Sequence, residues 1–236
     1  MNGSRLFSLE IVYPADPDFA AAEEVEAKIF RNAYGLSPEL MADELAPYRD
    51  ASEFLVLRDS VTGRIAGEVR LVTNSPAGFK SLNDMGHDPW STDYRTVLRE
   101  NGLTMAPEYT VDIATLGVDE GYLFKDDPEM SIWVRIALFH GICQYSVERG
   151  TRHWVAILDN RVLALIQRIG KPFQKYHGVD SAEYLGSPCT PVWSDFTAAT
   201  ENLRKDQPVR YAQVVCGKGL DRVVDLPPKG ALGVRS

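Results

Sequence analysis

The stretch that decides the fold runs from Tyr109 to Gly170 and opens with Tyr109-Thr-Val-Asp-Ile-Ala-Thr-Leu-Gly-Val118. These β-branched and aromatic residues predict a strand. A long apolar helix is predicted from about Ser131 to Arg149, a second strand at Arg152–Leu158 and a second helix at Asn160–Ile169. Strand, helix, strand and helix with short links form a βαβα unit, which predicts parallel pairing with a right-handed crossover. We expect a functional site at the carboxyl ends of these two strands.

Length and composition indicate a single folded domain. The chain has 236 residues, an apolar fraction of 44% and a formal net charge of −8. This size is sufficient for one large core, which we assign to residues 1–220, with a loose tail at 221–236. The negative charge disfavours nucleic acid as a partner. No apolar run reaches the length of a membrane helix or a signal peptide, so we expect a cytoplasmic protein.

The cysteines and histidines do not predict a metal site. Cys143, Cys189 and Cys216 are far apart and odd in number, and the four histidines are scattered. Reduced thiols are therefore expected, with neither a disulfide framework nor a bound metal.

The segments before the βαβα unit predict a strand at Phe7–Tyr13, a helix at Phe19–Asn32 and a hairpin. Glu53–Leu57 and Arg64–Val72 form the arms of this hairpin, and Gly63 supplies the positive φ in its turn. Residues 74–107 are irregular apart from a helix predicted near Thr92. Such a long segment is either a cover over a substrate or a plain surface excursion.

After the βαβα unit, the sequence predicts strands and turns up to residue 196. A helix is then expected at Phe196–Arg204 and a final strand at Arg210–Val215.

This order of elements resembles the GNAT superfamily of N-acyltransferases. The similarity is greatest to its carrier-protein-using branch, which contains the acyl-homoserine lactone (autoinducer) synthases and the long-chain N-acyl amino acid synthases. Gly67-Glu-Val-Arg70-Leu-Val72 resembles their glycine-containing strand with an arginine, and Asp112-Ile-Ala-Thr-Leu-Gly-Val118 resembles their central strand. The resemblance covers roughly Glu24 to Trp193.

The resemblance implies an α/β (α+β) fold. Its central sheet would be mixed and mostly antiparallel, with the parallel βαβα core flanked by helices. Helices within residues 1–50 would cover the substrate.

Two departures from the family patterns narrow the expected activity. Autoinducer synthases have Glu and Arg where this chain has Asp112 and Thr115, which leaves the N-acyl amino acid synthases as the nearer relatives. The acetyltransferase loop Arg/Gln-x-x-Gly-x-Gly/Ala holds the coenzyme A pyrophosphate on backbone N–H groups. Here the same place reads Asp119-Glu-Gly-Tyr-Leu-Phe-Lys-Asp-Asp-Pro-Glu129, whose acids compete with a pyrophosphate for the helix dipole. A carrier-protein thioester is therefore favoured over acyl-CoA as donor.

The resemblance thus implies an N-acyltransferase without a bound cofactor. It would move a fatty acyl group from acyl carrier protein, or from acyl-CoA, to the amine of an amino acid or a similar small acceptor. One alternative is an acyl-homoserine lactone synthase that uses S-adenosylmethionine. A second alternative is a non-catalytic acyl-binding domain.

Asp112 is the main candidate for a catalytic base. The attacking amine must be neutral, and a carboxylate can accept its proton directly or through water. In the structural interpretation, Asp112 is instead a buried aspartate paired with an arginine such as Arg70. Glu108, four residues earlier on the predicted strand, is the competing base.

Several further residues are candidates for substrate binding. Arg70 suits a substrate carboxylate, and Glu68 points to the same face. The central strand supplies Thr115 and the backbone groups of Leu116, Gly117 and Val118, which would polarise the thioester carbonyl. Phe79 and Trp90 either line an acyl tunnel or belong to the core.

A run of basic residues predicts a docking surface for the acidic carrier protein. Its members are Arg149, Arg152, Arg161, Arg168, Lys171 and Lys175. We expect them to converge near one rim of the βαβα unit. The alternative is an ordinary solvated helix face with charged loops.

Overall fold

A computed structural model describes residues 6–124, 127–228 and 230–232, with Ile169 described by its backbone alone. The described residues form a twisted sheet of nine strands with helices on both faces. The strands are β1 (Phe7–Val12), β2 (Ser52–Asp59), β3 (Ile65–Val72), β4 (Thr110–Val118), β5 (His153–Asp159), β6 (Gln174–Lys175), β7 (Ala182–Tyr184), β8 (Ser187–Asp195) and β9 (Val224–Asp225). The helices are α1 (Phe19–Tyr34), α2 (Pro38–Leu45), α3 (Lys80–Asp84), α4 (Tyr94–Glu100), α5 (Pro128–Arg149), α6 (Asn160–Gly170), α7 (Phe196–Asp206) and α8 (Pro208–Val214).

The strand order is β6-β8-β5-β4-β3-β2-β1-β9, with β7 also paired to β8. The pairs β4–β5 and β1–β9 are parallel, and the remaining pairs are antiparallel. The predicted fold class, a mostly antiparallel mixed sheet around a parallel βαβα unit, is confirmed.

The main core lies between the sheet and the long helix α5. The apolar stripe of α5 packs on the first three strands and on β5. Leu138 and Ile142 of this stripe are buried against the sheet. At Gly141 the helix comes so close to β2 that an added Cβ would lie 2.3 Å from Leu55 Cδ2. Glycine therefore sets the distance between α5 and the sheet. The opposite face of the sheet is covered by α1, whose Phe19 packs edge-on against Phe54 at a centroid distance of 5.1 Å.

Two expectations for the C-terminal part are wrong. The segment predicted as a strand at Arg210–Val215 is the helix α8, because Pro208 starts a helix and Val214 is buried in the core beside α5. The tail is not loose as far as the described residues reach, since β9 pairs with β1 and Leu232 is buried. Residues 229 and 233–236 of the predicted tail lie outside the described residues.

β1 belongs to the sheet, whereas α1 packs over one face of it and α2 packs on α1. The covering role expected of the N-terminal helices stays a prediction. None of the helices in the described ranges combines the length and the apolar character that a membrane crossing requires.

The close approach at Gly141 leads to a prediction about stability. Gly141→Ala should destabilise the wild-type chain by about 1–3 kcal/mol through overpacking. In a Leu55→Ala background the same change should stabilise, because the added methyl fills the vacated space and alanine favours helix by about 1 kcal/mol. Urea unfolding of the four variants measures both effects. The same sign in the two backgrounds would contradict the packing described.

Candidate functional site

The site is created by the separation of β4 and β5. Their parallel register contains Thr110↔His153, Val111↔Trp154 and Asp112↔Val155 and ends there, although β4 continues to Val118 and β5 to Asp159. Beyond Asp112 the two strands diverge. From Ile113 to Val118, the edge of β4 on the side of β5 therefore faces an opening instead of a neighbouring strand.

Two cavities meet at this opening. The one on the α1 side, here called the front cavity, lies between Ile113–Leu116 and Ile157–Asp159. The one on the α5 side, here called the rear groove, is lined by Leu116–Val118 and by α5 and α6. Leu116 and Val162 line both, so the front cavity and the rear groove adjoin where the strands part.

The front cavity is covered by elements from three parts of the chain. Phe30 and Tyr34 of α1 and Met41 of α2 provide apolar walls, and Tyr184 of β7 also lines the cavity. Helix α3, within the segment 74–107, contributes polar groups. Part of this segment thus forms the cavity wall, and its role as a cover over a substrate stays a prediction.

Asp112 is completely buried and is held by α3. Its Oδ2 accepts a hydrogen bond from the Ser81 backbone N–H at 2.6 Å, and its Oδ1 accepts one from Ser81 Oγ at 2.7 Å. Burial raises the pKa of Asp112 to about 7, against the lowering effect of the Ser81 hydrogen bonds. The partner is thus Ser81 and not Arg70, which the structural interpretation had named. Ser81 lines the front cavity, so the buried carboxylate is hydrogen-bonded to a residue of the cavity wall.

A charged cluster lies on the cavity wall beside Ser81. Lys80 Nζ donates to Glu44 at 2.9 Å, to Asp84 at 2.6 Å and to the Tyr184 hydroxyl at 3.0 Å. Tyr184 Oη in turn donates to Asp84 at 2.5 Å. Burial alone would lower the pKa of Lys80, but its contacts with Tyr184 and Asp84 raise it, so the ammonium stays charged. All three ammonium protons are engaged, and the cluster of two carboxylates and one ammonium is net negative.

Arg70 does not face the cavity. Its guanidinium is buried under α1, where it makes two hydrogen bonds to Glu26 at 3.0 and 2.6 Å and one to Ser52 Oγ at 3.1 Å. The ring of Phe54 lies 4.4 Å from the guanidinium carbon. The prediction that Arg70 binds a substrate carboxylate is therefore wrong, because the carboxylate it binds belongs to the chain itself.

Glu68 and Thr115 belong to the same buried cluster. Thr115 Oγ1 donates to Glu26 and lies 3.4 Å from Glu68 Oε2, while Glu68 Oε1 is without a hydrogen-bond partner among the described residues. Burial and the nearby Glu26 raise the pKa of Glu68 well above its ordinary value. Glu68 lies on the face of Arg70, as predicted. Thr115 also lines the front cavity, whereas Glu68 does not.

Glu108 is misplaced as a candidate base. It lies in a short 3₁₀ turn, Pro107–Tyr109, and is exposed at the amino end of β4. The cavity opens at the carboxyl half of the strand. Strand alternation does not apply to Glu108, because Pro107 starts the turn before the strand begins.

Phe79 and Trp90 do not line the front cavity or the rear groove. Phe79 is buried in a separate cluster with Val155 and Tyr176. Trp90 packs on Tyr184 at a centroid distance of 5.3 Å and donates from Nε1 to the Asp180 carbonyl at 2.8 Å. Both residues belong to the apolar cluster within and beneath the segment 74–107, as the core interpretation expected, and a role in an acyl tunnel stays a prediction.

The basic run does not gather at one rim. The C-terminal end of α6 lies near the first residues of β5. The ring centroids of Trp154 on β5 and Phe173 just beyond the helix are 5.9 Å apart. The cations at that end are Arg149, Arg152, Arg168 and Lys171. Arg161 lies at the other end of β5, beside Asp159, with the seven strand residues, roughly 20 Å, in between. Lys175 pairs with Val192 near the middle.

In the loop after β4, carboxylates of the chain itself occupy the positions at which a bound anion would accept backbone hydrogen bonds. Asp127 accepts a hydrogen bond from the Met130 N–H at 3.0 Å and so caps α5, while Glu129 stands in the first turn. Asp119 accepts from Gly121 N–H at 2.9 Å and pairs with Lys28. Asp127 and Glu129 thus occupy the positive end of the α5 dipole.

His140 and Cys143 belong to the core, as the sequence interpretation favoured. His140 Nδ1 lies 2.9 Å from the Val214 carbonyl, and burial lowers the pKa of its imidazole. Among the described residues, no group of His, Cys, Asp and Glu is arranged to hold a metal ion.

Sequence reasoning missed the residues that line the cavity from α2, α3 and β7. Lys80 and Asp84 have the four-residue spacing of a helical ion pair, which is a readable signal. Glu44, Ser81 and Tyr184 carry no such signal, because only the folding of distant segments brings them together.

Comparison with known proteins identifies the fold. No protein-family model matches the sequence, and no curated protein matches it significantly. Solved structures do match. FeeM, an N-acyl amino acid synthase from uncultured soil microbes, has a TM-score of 0.58 at 12% identity, over 84% of this chain and 96% of that one.

Two further structures agree with this match. BjaI, a CoA-dependent acyl-homoserine lactone synthase solved with SAM and isopentyl-CoA, has a TM-score of 0.56 at 11% identity over 96% and 97% of the two chains. A putative N-acetyltransferase from Lactobacillus plantarum has 0.51 at 13% identity over 80% and 99%. At such identities these likenesses show the fold, which is GNAT-like as predicted.

The burial of Asp112 leads to a prediction about pH and stability. The raised pKa means that the stability from protonated Asp112 is fully present below its unfolded pKa, near 4, and is lost as the pH rises through about 7. Asp112→Asn, which is always neutral, should therefore gain thermal stability relative to the wild type between pH 5 and pH 8. Melting curves of both proteins at the two pH values measure this, with the exposed Asp206→Asn as control. A constant difference between Asp112→Asn and the wild type would contradict the raised pKa.

Proposed function

We propose that the chain is an N-acyltransferase that moves a fatty acyl group from a thioester to a small primary amine. The observation that carries this proposal is the separation of β4 and β5, which joins the rear groove to the front cavity at an open strand edge. An acyl donor in the rear groove and an amine in the front cavity would meet there. The similar structures, which are acyltransferases by name, support the same conclusion at the level of the fold.

The donor arm fits the rear groove by its chemistry. A pantetheine arm contains two amides, which form hydrogen bonds with an unpaired strand edge as an added strand does. The edge at Leu116–Val118 offers these backbone groups, and the apolar walls of the groove suit the methylene parts of the arm. A backbone N–H of the same edge would stabilise the negative charge that develops on the thioester oxygen.

The reaction needs no covalent enzyme intermediate. The amine nitrogen attacks the thioester carbonyl, the C–N bond forms, the C–S bond breaks and the sulfur leaves as a thiolate. The nitrogen must also lose a proton. Ser81 lines the cavity and its hydroxyl is hydrogen-bonded to Asp112, so it would accept this proton while passing its own to the carboxylate. The thiolate then takes up one proton from solvent, and Asp112 returns one to solvent. A carboxylate with a pKa of about 7 is well matched to this role near neutral pH.

The acidic loop favours carrier protein over coenzyme A as donor. Asp127 and Glu129 occupy the helix N-terminus on which acetyltransferases hold the pyrophosphate. A carrier-protein arm has a single phosphate and makes a smaller demand on this loop. Of the predicted docking cations, Arg161 lies at the end of the sheet where the cavity opens, and it is our candidate for contact with an acidic carrier.

The acceptor is an amine without a carboxylate. The expected amino acid would need a free cation, yet Arg70 is bound to Glu26 and the lining cation Lys80 is fully engaged by Glu44, Asp84 and Tyr184. A substrate carboxylate would lie beside two carboxylates of the cavity wall. An ammonium would instead be attracted by them, and the rings of Tyr34 and Tyr184 favour cations and aryl groups.

The donor and the base are tested together. Purified protein with a long-chain acyl carrier protein and an arylalkylamine should give the N-acyl amide, with a kcat/KM higher than for the matching acyl-CoA. Asp112→Asn and Ser81→Ala should each lower kcat by about 10² or more, a typical size for loss of a general base. Glu108→Gln, the exposed control, should retain full activity. Mass spectrometry of the products gives the rates.

Three outcomes would count against this assignment. Full activity of Asp112→Asn would remove the carboxylate from the mechanism. A higher kcat/KM for acyl-CoA would overturn the donor assignment. Tight binding of acyl carrier protein without turnover on any amine would indicate the non-catalytic acyl-binding alternative.

The acceptor is tested with matched pairs. Phenethylamine and phenylalanine differ by one carboxylate, and the methyl ester of phenylalanine removes its charge. We expect transfer to the amine and the ester to exceed transfer to the amino acid by about tenfold or more, since like charges nearby cost more than 1 kcal/mol in a partly buried site. Glu44→Gln should narrow the gap by making the cavity less negative. Preference for the free amino acid would contradict the charge argument.

A further inference from the structure

The rear groove has one charged residue among apolar neighbours. Arg135, two turns into α5, lines it together with Leu123, Leu138, Val162 and Leu165. The residue is half-buried and lines the groove, so an occupant would lie beside its side chain. A cation in an apolar groove carries a desolvation cost that an anionic ligand would offset.

Arg135 makes no hydrogen bond or ion pair with any residue that the structure describes. The other arginines near the site are engaged: Arg70 by Glu26 and Arg161 by Asp159. As far as the described residues show, the guanidinium of Arg135 therefore keeps its donors for a ligand, in the planar geometry that suits two oxygens of a phosphate.

The backbone N–H groups at the N-terminus of α5 are the alternative site for a phosphate, and carboxylates of the chain already occupy it. The Met130 N–H of the α5 N-terminus is used by Asp127, and Glu129 adds a second negative charge there. A phosphate in the rear groove would be repelled by these carboxylates and attracted by Arg135 further along the same helix. These charges favour a phosphate site at the side chain of Arg135 over one at the N-terminus of α5.

We infer that Arg135 binds the phosphate of a 4′-phosphopantetheine arm lying in the rear groove. This inference rests on the proposed function, because it assigns the donor of the same reaction. The phosphate belongs to both possible donors, since carrier protein and coenzyme A each carry the 4′-phosphopantetheine group. Arg135 thus selects a phosphorylated arm, while the acidic loop disfavours the additional phosphates of coenzyme A.

The test compares two small donors that differ only in this phosphate. Acyl-4′-phosphopantetheine and acyl-pantetheine are assayed with the same amine. In the wild type, kcat/KM for the phosphorylated donor should be higher by about tenfold or more, as expected for a charge-assisted hydrogen bond. Arg135→Gln should reduce the ratio of the two kcat/KM values to about one. Arg135→Lys should keep part of the preference, and Arg99→Gln, an exposed cation on α4, should keep all of it.

Binding of the unacylated compounds is measured in parallel by calorimetry, so that the inference is tested even without turnover. Tighter binding of phosphopantetheine than of pantetheine, abolished in Arg135→Gln, is the expected result. Equal binding and equal kcat/KM in the wild type would overturn the role of Arg135 while leaving acyl transfer intact. Absence of transfer from every donor would overturn the proposed function, and the calorimetry would still decide on Arg135.

The two natural donors distinguish the source of the phosphate. Arg135→Gln should reduce kcat/KM for acyl carrier protein and for acyl-CoA by similar factors, because the shared phosphate is the group recognised. A loss confined to acyl-CoA would show that Arg135 contacts the nucleotide portion, and the assignment to phosphopantetheine would be overturned. Melting curves of Arg135→Gln and Arg135→Lys confirm that the variants are folded.

Discussion

The parallel pairing of β4 and β5 and its early end are the constraint on which the rest of the structure depends. Three residue pairs join the two halves of the sheet, and beyond Asp112 the strands separate. A sheet that opens in its centre exposes backbone groups and apolar side chains on both faces. The helices α1, α2 and α3 on one face and α5 and α6 on the other surround that opening and enclose the site.

The cover over the front cavity is tied to the sheet by a buried ion pair. Glu26 of α1 receives two hydrogen bonds from Arg70 of β3 and one from Thr115 of β4. Two buried charges are stable together because their hydrogen bonds are nearly complete, whereas removing one leaves the other uncompensated. This pair therefore fixes where α1 lies on the sheet, and with it the position of Phe30 and Tyr34 above the opening. The role of the Arg70–Glu26 ion pair is structural. The polar groups that would take part in the reaction lie on α3, β7 and β4.

The fold could be predicted from local patterns, whereas much of the site could not. The βαβα unit and the hairpin follow from alternation, helical period and turn residues, all of which are local in sequence. Asp112 was found because the resemblance marked its position, but its partner Ser81 is 31 residues away in an irregular segment. Arg70 was misjudged for the same reason, since an arginine on a strand looks the same whether its carboxylate partner is a substrate or Glu26, 44 residues earlier. The stretch at Arg210–Val215 was misjudged because its β-branched residues favour a strand, while packing against α5 selects a helix.

The hydrogen bonds of Asp112 have a consequence for how this chain is able to evolve. One carboxylate fixes the start of α3 through the Ser81 N–H and is also hydrogen-bonded to the hydroxyl of the same residue, which lines the cavity. A longer side chain at this position would displace α3 and the cavity wall that it carries. Substitution of Asp112 by glutamate would therefore require a compensating change in the segment 74–107. The length of one side chain thus limits which residues this chain is able to accept at the centre of its sheet.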